Sequence, residues 1–400
     1  MKLGQFNACD MENYGDLLYP VVTKHLLQQK RSDVTLKLYA FLPGVAPDGA
    51  GYEARGIQRL LCRRDQHLDA LIVGGGDILR TDTVMLASHY KETYKKRRER
   101  KFFGRIWKMI LGSGDSAEEF RQRYMSYEAI GPFVIDSARF PNIGLVAYCS
   151  AGVPFAFNNQ NRLEVSRALN NSAFIYVRDN PSRDKLVEAG VTRTIHVAPD
   201  LIVTLSDFYP LNEQKRIGQE IFRVHGIDKS KPVLCFQCTP QDSENMDIIV
   251  AELVAYAERT GSAVALLPIG RCHGDDRVLR SIEKLSNNRL TYINVITIFD
   301  MIAVIAASVR FLGTSMHGNI TAFSYGIPHL FGPLDVDKIK GFLEVAELDS
   351  RLKLSSWADI GDGLSMLDKF ESDYFSSRAE KAKRRVNDVI DQLLVVLEHH

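Results

Sequence analysis

The chain has 400 residues, 45% of them apolar, enough to bury two cores of ordinary domain size. Fifty basic residues against 49 acidic ones leave a net charge of +1, so overall charge gives no reason to expect a nucleic-acid partner. No apolar run is long enough to span a bilayer and no secretory leader is visible, so a cytoplasmic protein is expected. Six cysteines scattered through so long a chain are expected as reduced thiols. Cys235 and Cys238 have CxxC spacing but sit on a predicted strand, where positions three apart face opposite sides, so neither zinc nor redox chemistry is expected of them.

In chain order, Asn13-Tyr14-Gly15-Asp16 precedes an apolar run with helical spacing, which predicts a loop-to-helix junction capped by Asp16. Asp69 to Val73 reads as a buried parallel strand. It stops at Gly74-Gly75-Gly76-Asp77, either a loop that lets a ligand approach or a tight turn required by packing. Residues 82 to 137 break the strand-helix rhythm as a basic insertion. Within it, Lys91 to Lys108 carries a charge of +7, with Phe102, Phe103, Ile106 and Trp107 interleaved. That pattern fits peripheral contact with an anionic membrane, and equally a solvated basic face whose aromatics pack on the parent domain.

Phe133 to Ile135, Ile143 to Ala147 and Ala173 to Val177 continue the strand series. The last delivers Arg178 to a strand tip, where a guanidinium can meet a carboxylate or phosphate through two parallel hydrogen bonds; Ser182 then caps the helix from Arg183 to Ala189. A polar stretch from Asp207 to Arg216 marks the expected boundary between an N-terminal domain, 1–206, and a C-terminal domain, 207–372. The second half repeats the alternation. Strands are predicted at Val233 to Gln237, Ala263 to Pro268 and Thr291 to Asn294, helices at Met246 to Arg259 and Phe299 to Ala307, and a loop at Ile269 to Asp276.

A strand from Val309 to Leu312, a loop holding Gly313, Thr314, Ser315, Met316 and His317, and a helix from Gly318 to Tyr325 complete the pattern. His317 thus falls where ligands bind in open α/β sheets, beyond the carboxyl ends of the strands, unless it merely caps its helix. The alternation predicts an α/β protein of two Rossmann-like domains facing a central cleft, with parallel sheets. Ser377 to Glu380 reads as a capping box that opens a C-terminal helix over 373–396 across the junction, and 397–400 as a tag remnant.

Taken together, Asn13-Tyr14-Gly15-Asp16, Gly74-Gly75-Gly76-Asp77, Tyr176-Val177-Arg178-Asp179, Ala198-Pro199-Asp200, Ser315-Met316-His317-Gly318 with Gly326-Ile327-Pro328, and Asp337 to Phe342 resemble, in order, the polysaccharide pyruvyl transferase family. The resemblance implies a GT-B-like fold and transfer of the enolpyruvyl carbons of phosphoenolpyruvate to a sugar as a cyclic ketal, with release of phosphate. It implies no cofactor and no metal, and a glycan or lipid-linked oligosaccharide as acceptor. His317 matches the family's proposed acid and Arg178 its donor-binding arginine. Many members carry Arg-Leu-His where this chain has Ser315-Met316-His317, so either Arg271, Arg310 or Lys338 supplies the missing charge beside Gly313 to Met316, or the pocket relies on the backbone N–H groups of Gly313 to His317, which suit a single anion. The base is open among Asp16, Asp77 and His273, with Asn13, Gly15, Gly75 and Gly76 in the cleft loops. A nucleotide-sugar glycosyltransferase of GT-B fold is the alternative; against it, no acidic residue follows Gly326-Ile327-Pro328.

Overall fold

A computed structural model describes residues 1–62, 65, 67–79, 86, 131–295 and 297–399. The Lys91 to Lys108 segment lies outside the described residues. The first half contains β1 (Lys2–Phe6), α1 (Tyr14–Lys30), β2 (Thr35–Ala40), β3 (Gly44–Val45), β4 (Glu53–Gly56), α2 (Ile57–Leu61), β5 (Leu68–Gly74), β6 (Ile143–Ala151), α3 (Asn159–Asn170), β7 (Phe174–Val177), α4 (Asn180–Glu188) and β8 (His196–Val197). Its strands form one sheet in the order β3-β4-β2-β1-β5-β6-β7-β8, parallel except for the β3/β4 edge pair. The short helix α5 (Leu205–Phe208) and the longer α6 (Leu211–Val224) lead into the second half.

There β9 (Val233–Gln237), α7 (Met246–Thr260), β10 (Ala263–Leu266), α8 (Asp275–Leu285), β11 (Thr291–Tyr292), α9 (Ile298–Ala307), β12 (Arg310–Gly313), α10 (Met316–Ser324) and β13 (His329–Phe331) form a parallel sheet ordered β11-β10-β9-β12-β13. Helices α11 (Asp337–Val345), α12 (Ile360–Met366) and α13 (Tyr374–Glu398) complete the chain. Strands read as near-continuous apolar runs because both faces are covered, as β9, buried along its whole length, illustrates. In each sheet the winding reverses beside the first strand, between β1 and β5 and between β9 and β12. The crevices at these two reversals are where open α/β sheets bind ligands.

The two halves share one apolar core that runs from Leu17 and Leu201 to Phe323 and Leu393. Tyr14 of α1 meets Thr321 of α10 hydroxyl to hydroxyl at 2.9 Å, a buried polar contact that fixes the start of α1 against the middle of α10. Helix α13 spans the junction by packing on α1 and β7 of the first half and on α10 of the second.

Several local expectations are corrected. Phe133 to Ile135 is buried but not a strand: the Tyr148 hydroxyl accepts from Ile135 N and donates to Ile135 O, taking the backbone partners a ladder would use. The polar stretch from Asp207 to Arg216 runs into helix, because α6 begins at Leu211. Asp179, not Ser182, caps α4, accepting from Ser182 N at 2.7 Å. Asp16 lies inside the first turn of α1, with Asn13 at the cap position. The Ile269 to Asp276 loop ends in the first residues of α8. Ser377 is interior to α13, which starts at Tyr374, because buried Phe375 extends the apolar stripe upstream. At the other end Leu397 is buried in the core and Glu398 pairs with Arg31, so these two residues belong to the fold.

Candidate active site

The carboxyl ends of β1 and β5 deliver Asp16 and Asp77, and those of β7 and β8 deliver Arg178 and Asp200. Across the cleft, β12 delivers Ser315 and His317. His317 is in the first turn of α10, whose cap is Ser315: its Oγ accepts from Gly318 N at 3.2 Å. The Met316 and His317 N–H groups are left at the helix entrance without intrahelical partners. His317 faces the first half. Its Nε2 lies 3.8 Å from Asp200 Oδ2, and its ring packs on Gly15, where an added Cβ would come within 1.9 Å of Nδ1. Only glycine permits that approach, which gives Gly15 of the Asn13 to Asp16 loop a physical role.

Arg178 departs from the expected open anion clamp. Its side chain is 2% exposed and surrounded by carboxylates: Asp77 on Nη2, Asp200 at 3.5 Å and Asp179 at 3.9 Å. Burial alone would push the guanidinium down, but these carboxylates outweigh it and hold Arg178 above its ordinary range. Asp77, beside the positive-φ turn of Gly75 and Gly76, also takes Lys338 at 3.3 Å. Burial raises its carboxyl, and Arg178 and Lys338 together overcome that and keep it low. Asp200 behaves alike: burial opposes ionisation, while His317, Arg178 and the Ile202 N–H favour it. Asp16 is the exception. Burial and the neighbouring Asp77 push its carboxyl up to about 7, which leaves it able to exchange a proton near neutral pH.

Two expected charge donors are elsewhere. Arg310 is held by Asp368, Tyr256 and the Leu364 carbonyl behind the second sheet's site face. Arg271 pairs with Asp48 at 3.4 Å rather than with the Arg178 cluster. Lys338, 37% exposed, is the cation that the second half contributes to that cluster. His273 sits exposed on a short 3-10 turn whose Cys272 N–H reaches the Glu12 carbonyl of the facing half.

A supporting network was not anticipated. Gln237, at the tip of β9, accepts from Ser315 N at 2.8 Å and from the buried Thr314 hydroxyl, and donates to Asp275 at 2.8 Å. Asp275 in turn accepts from Gly270 N at 2.7 Å, and burial raises its carboxyl to about 6. This chain locks the His317 cap to the loop that carries Arg271. Asp200 was visible only as the end of an Ala-Pro-Asp motif. Gly152, where a Cβ would meet Asp77 Oδ1 at 2.7 Å and Arg178 Nη2 at 2.8 Å, gave no signal in the sequence.

The family model of polysaccharide pyruvyl transferases matches residues 13–331. No curated protein sequence matches the chain. Among solved structures, a UDP-GlcNAc 2-epimerase from Neisseria meningitidis bound to UDP-GlcNAc is similar over 100% of both chains, with 13% identity and a TM-score of 0.57. A UDP-GlcNAc 2-epimerase from Methanocaldococcus jannaschii, in complex with UDP-GlcNAc and UDP, has 12% identity over 99% of this chain and 100% of its own, with a TM-score of 0.55. Anabaena HepE, in complex with UDP and glucose, has 12% identity over 100% of both chains and a TM-score of 0.51. At such identities the likeness is one of fold, and the fold is GT-B-like.

Proposed function

Because the chain belongs to the polysaccharide pyruvyl transferase family, we propose that it transfers the enolpyruvyl carbons of phosphoenolpyruvate to two hydroxyls of a glycan as a pyruvate ketal, releasing phosphate. The observation that supports this most is the meeting of His317 from one half with Asp200 and Gly15 from the other, beside the Arg178-Asp77-Lys338 cluster. The reaction needs a proton delivered to the enol methylene, a base for the sugar hydroxyl and cations for the anionic donor.

In this reading His317 gives its proton to C3 of the enol, making the methyl group, and C2 becomes electrophilic. One acceptor hydroxyl adds to C2 as Asp16 takes its proton. The second hydroxyl then displaces phosphate from C2, and its proton leaves with the phosphate. The two hydroxyl protons thus balance the one gained by C3 and the one carried off by phosphate. Asp200 orients the imidazole, and the 3.8 Å separation leaves the Nε2 proton uncommitted until substrate closes the site. The donor's anionic groups take Lys338 first, then share Arg178 by displacing the Asp77 carboxylate. The Met316 and His317 N–H groups supply further donors at the helix entrance.

The decisive experiment offers phosphoenolpyruvate or nucleotide sugars together with glycan and lipid-linked glycan acceptors, and follows which donor is consumed. Acceptor-dependent phosphate release from phosphoenolpyruvate, undiminished by a chelator, is the expected result. Consumption of a nucleotide sugar with phosphoenolpyruvate untouched establishes the glycosyltransferase reading instead. The Lys91 to Lys108 segment is proposed to hold the enzyme at an anionic leaflet where lipid-linked acceptors are presented; equal sedimentation with anionic and neutral vesicles at low salt would remove that part.

A further inference from the structure

A cavity of about 380 Å³ is lined by Arg271, Asp276, Arg277, Arg280, Asn294 and Val295. Three guanidiniums therefore face one space. Arg271 has a carboxylate partner, Asp48, but its Nε is buried with no hydrogen-bond partner among the described residues. Arg277 and Arg280 sit one turn apart on α8 and make no ion pair among the described residues. Arg280 lies over the Tyr292 ring at 3.9 Å, which fixes the plane of its guanidinium while leaving its edge donors unspent. The acidic groups are already engaged: Asp276 accepts the Tyr292 hydroxyl and Asp48 accepts Arg271. Three guanidiniums against the one carboxylate of the lining, Asp276, make the cavity a place for an oxyanion.

Its position relative to the centre is set by two contacts. On the second half, Ile269 packs against the first turn of α10, where a Cβ on Gly318 would meet its Cδ1 at 2.8 Å; Arg271 follows two residues later. On the first half, the Glu12 carbonyl takes the Cys272 N–H, and Asp16 follows four residues later. Both walls of the cleft thus lead from the proton-transfer pair to the arginines along one short loop each. A ligand with a hydroxyl-bearing sugar at His317 and Asp16 would carry its next group into the cavity.

From this geometry we infer that Arg271, Arg277 and Arg280 form an acceptor subsite for a phosphate or diphosphate ester, so that the acceptor is a phosphorylated glycan rather than a neutral one. Guanidinium forks match phosphate oxygens two at a time, and the volume exceeds that of a single anion. The inference rests on the cleft being the transfer site, and its test does not depend on turnover. Inorganic pyrophosphate is titrated calorimetrically into the whole protein with phosphoenolpyruvate saturating. Binding should weaken about 10-fold or more in the exposed double variant Arg277→Ala/Arg280→Ala, given the usual strength of hydrogen bonds to charged groups, and stay unchanged in Arg178→Ala. Equal binding by wild type and the double variant, or loss in Arg178→Ala alone, overturns the assignment. Competition then separates the sources of phosphate. Displacement by an alkyl diphosphate assigns a lipid-linked acceptor, displacement by uridine diphosphate a nucleotide-linked one, and displacement by neither overturns the subsite. Retained pyrophosphate binding with no pyruvyl transfer in the donor assay keeps the subsite and discards the reaction.

Discussion

On the wall built from the first sheet, three carboxylates, Asp77, Asp179 and Asp200, surround a single buried guanidinium, with a fourth, Asp16, beside the Gly76 turn. The facing wall, built from the second half, brings His317 and Lys338 to the same centre and Arg271, Arg277 and Arg280 to the adjoining cavity. One wall is a carboxylate surface built round a buried arginine, the other a set of cations and one imidazole that are partly open. The two walls are joined through one carboxylate: Asp77 is shared between Arg178 of its own half and Lys338 of the other. In the proposed reaction an anionic donor would have to compete with that carboxylate, whereas Asp16, its carboxyl pushed up to about 7, would take the proton that leaves the acceptor.

The largest expected effect removes the imidazole from this arrangement. His317→Ala should cost on the order of 10²-fold or more in kcat, the usual scale for a general acid, while leaving the donor KM within a few-fold; unchanged kcat would remove His317 from the chemistry. Asp16→Asn should lower kcat/KM by about 10²-fold, and it should also change the pH profile. A base must be ionised to act, and with the Asp16 carboxyl pushed up to about 7, wild-type kcat/KM should climb as pH rises across that region. In the variant this limb should vanish, and its survival would assign the base elsewhere.

The shared carboxylate gives a paired test of smaller size. Lys338→Ala should raise the KM for phosphoenolpyruvate by about 10-fold with kcat nearly held, by the loss of one charge-assisted contact. Asp77→Asn should move donor KM the opposite way, by a few-fold, because it frees Lys338 and removes one of the carboxylates on Arg178. If both variants weaken the donor equally, Asp77 is a scaffold and not a competitor. Smallest of all, Ser315→Ala should cost about 1 kcal/mol of stability through loss of the Gly318 N cap, read as a lower denaturation midpoint. For the same reason Ser315→Arg, which would restore the family's arginine, should lose this cap whatever it does for the donor.

The sequence by itself determined the order and type of most elements and the loops that carry chemistry. Apolar runs ending in glycine or polar turns place strand tips at Gly74, Val177 and Gly313, and in a parallel sheet those tips share one edge. That is why Asp77, Arg178 and His317 were legible as cleft residues, each read from its own few neighbours. What only tertiary structure decided is which charges meet. Asp200 and His317 are 117 residues apart, and nothing local distinguishes Asp200 from a capping aspartate, a role it also fills by accepting from Ile202 N. Arg178 looked free because the carboxylates that neutralise it come from three separate loops, while Arg271, Arg310 and Lys338 were equivalent until packing sent the first to Asp48, the second to Asp368 and only the third to Asp77. Caps were misread for a related reason. Asp179 and Ser182 are both good cap residues, and so are Ser377 and Asp373; the burial of Phe375 and the fit of α4 against the sheet selected between them. Hydrophobic period and turn chemistry act over a few residues and are written in the chain, whereas electrostatic pairing acts through space and depends on which loops the fold sets side by side.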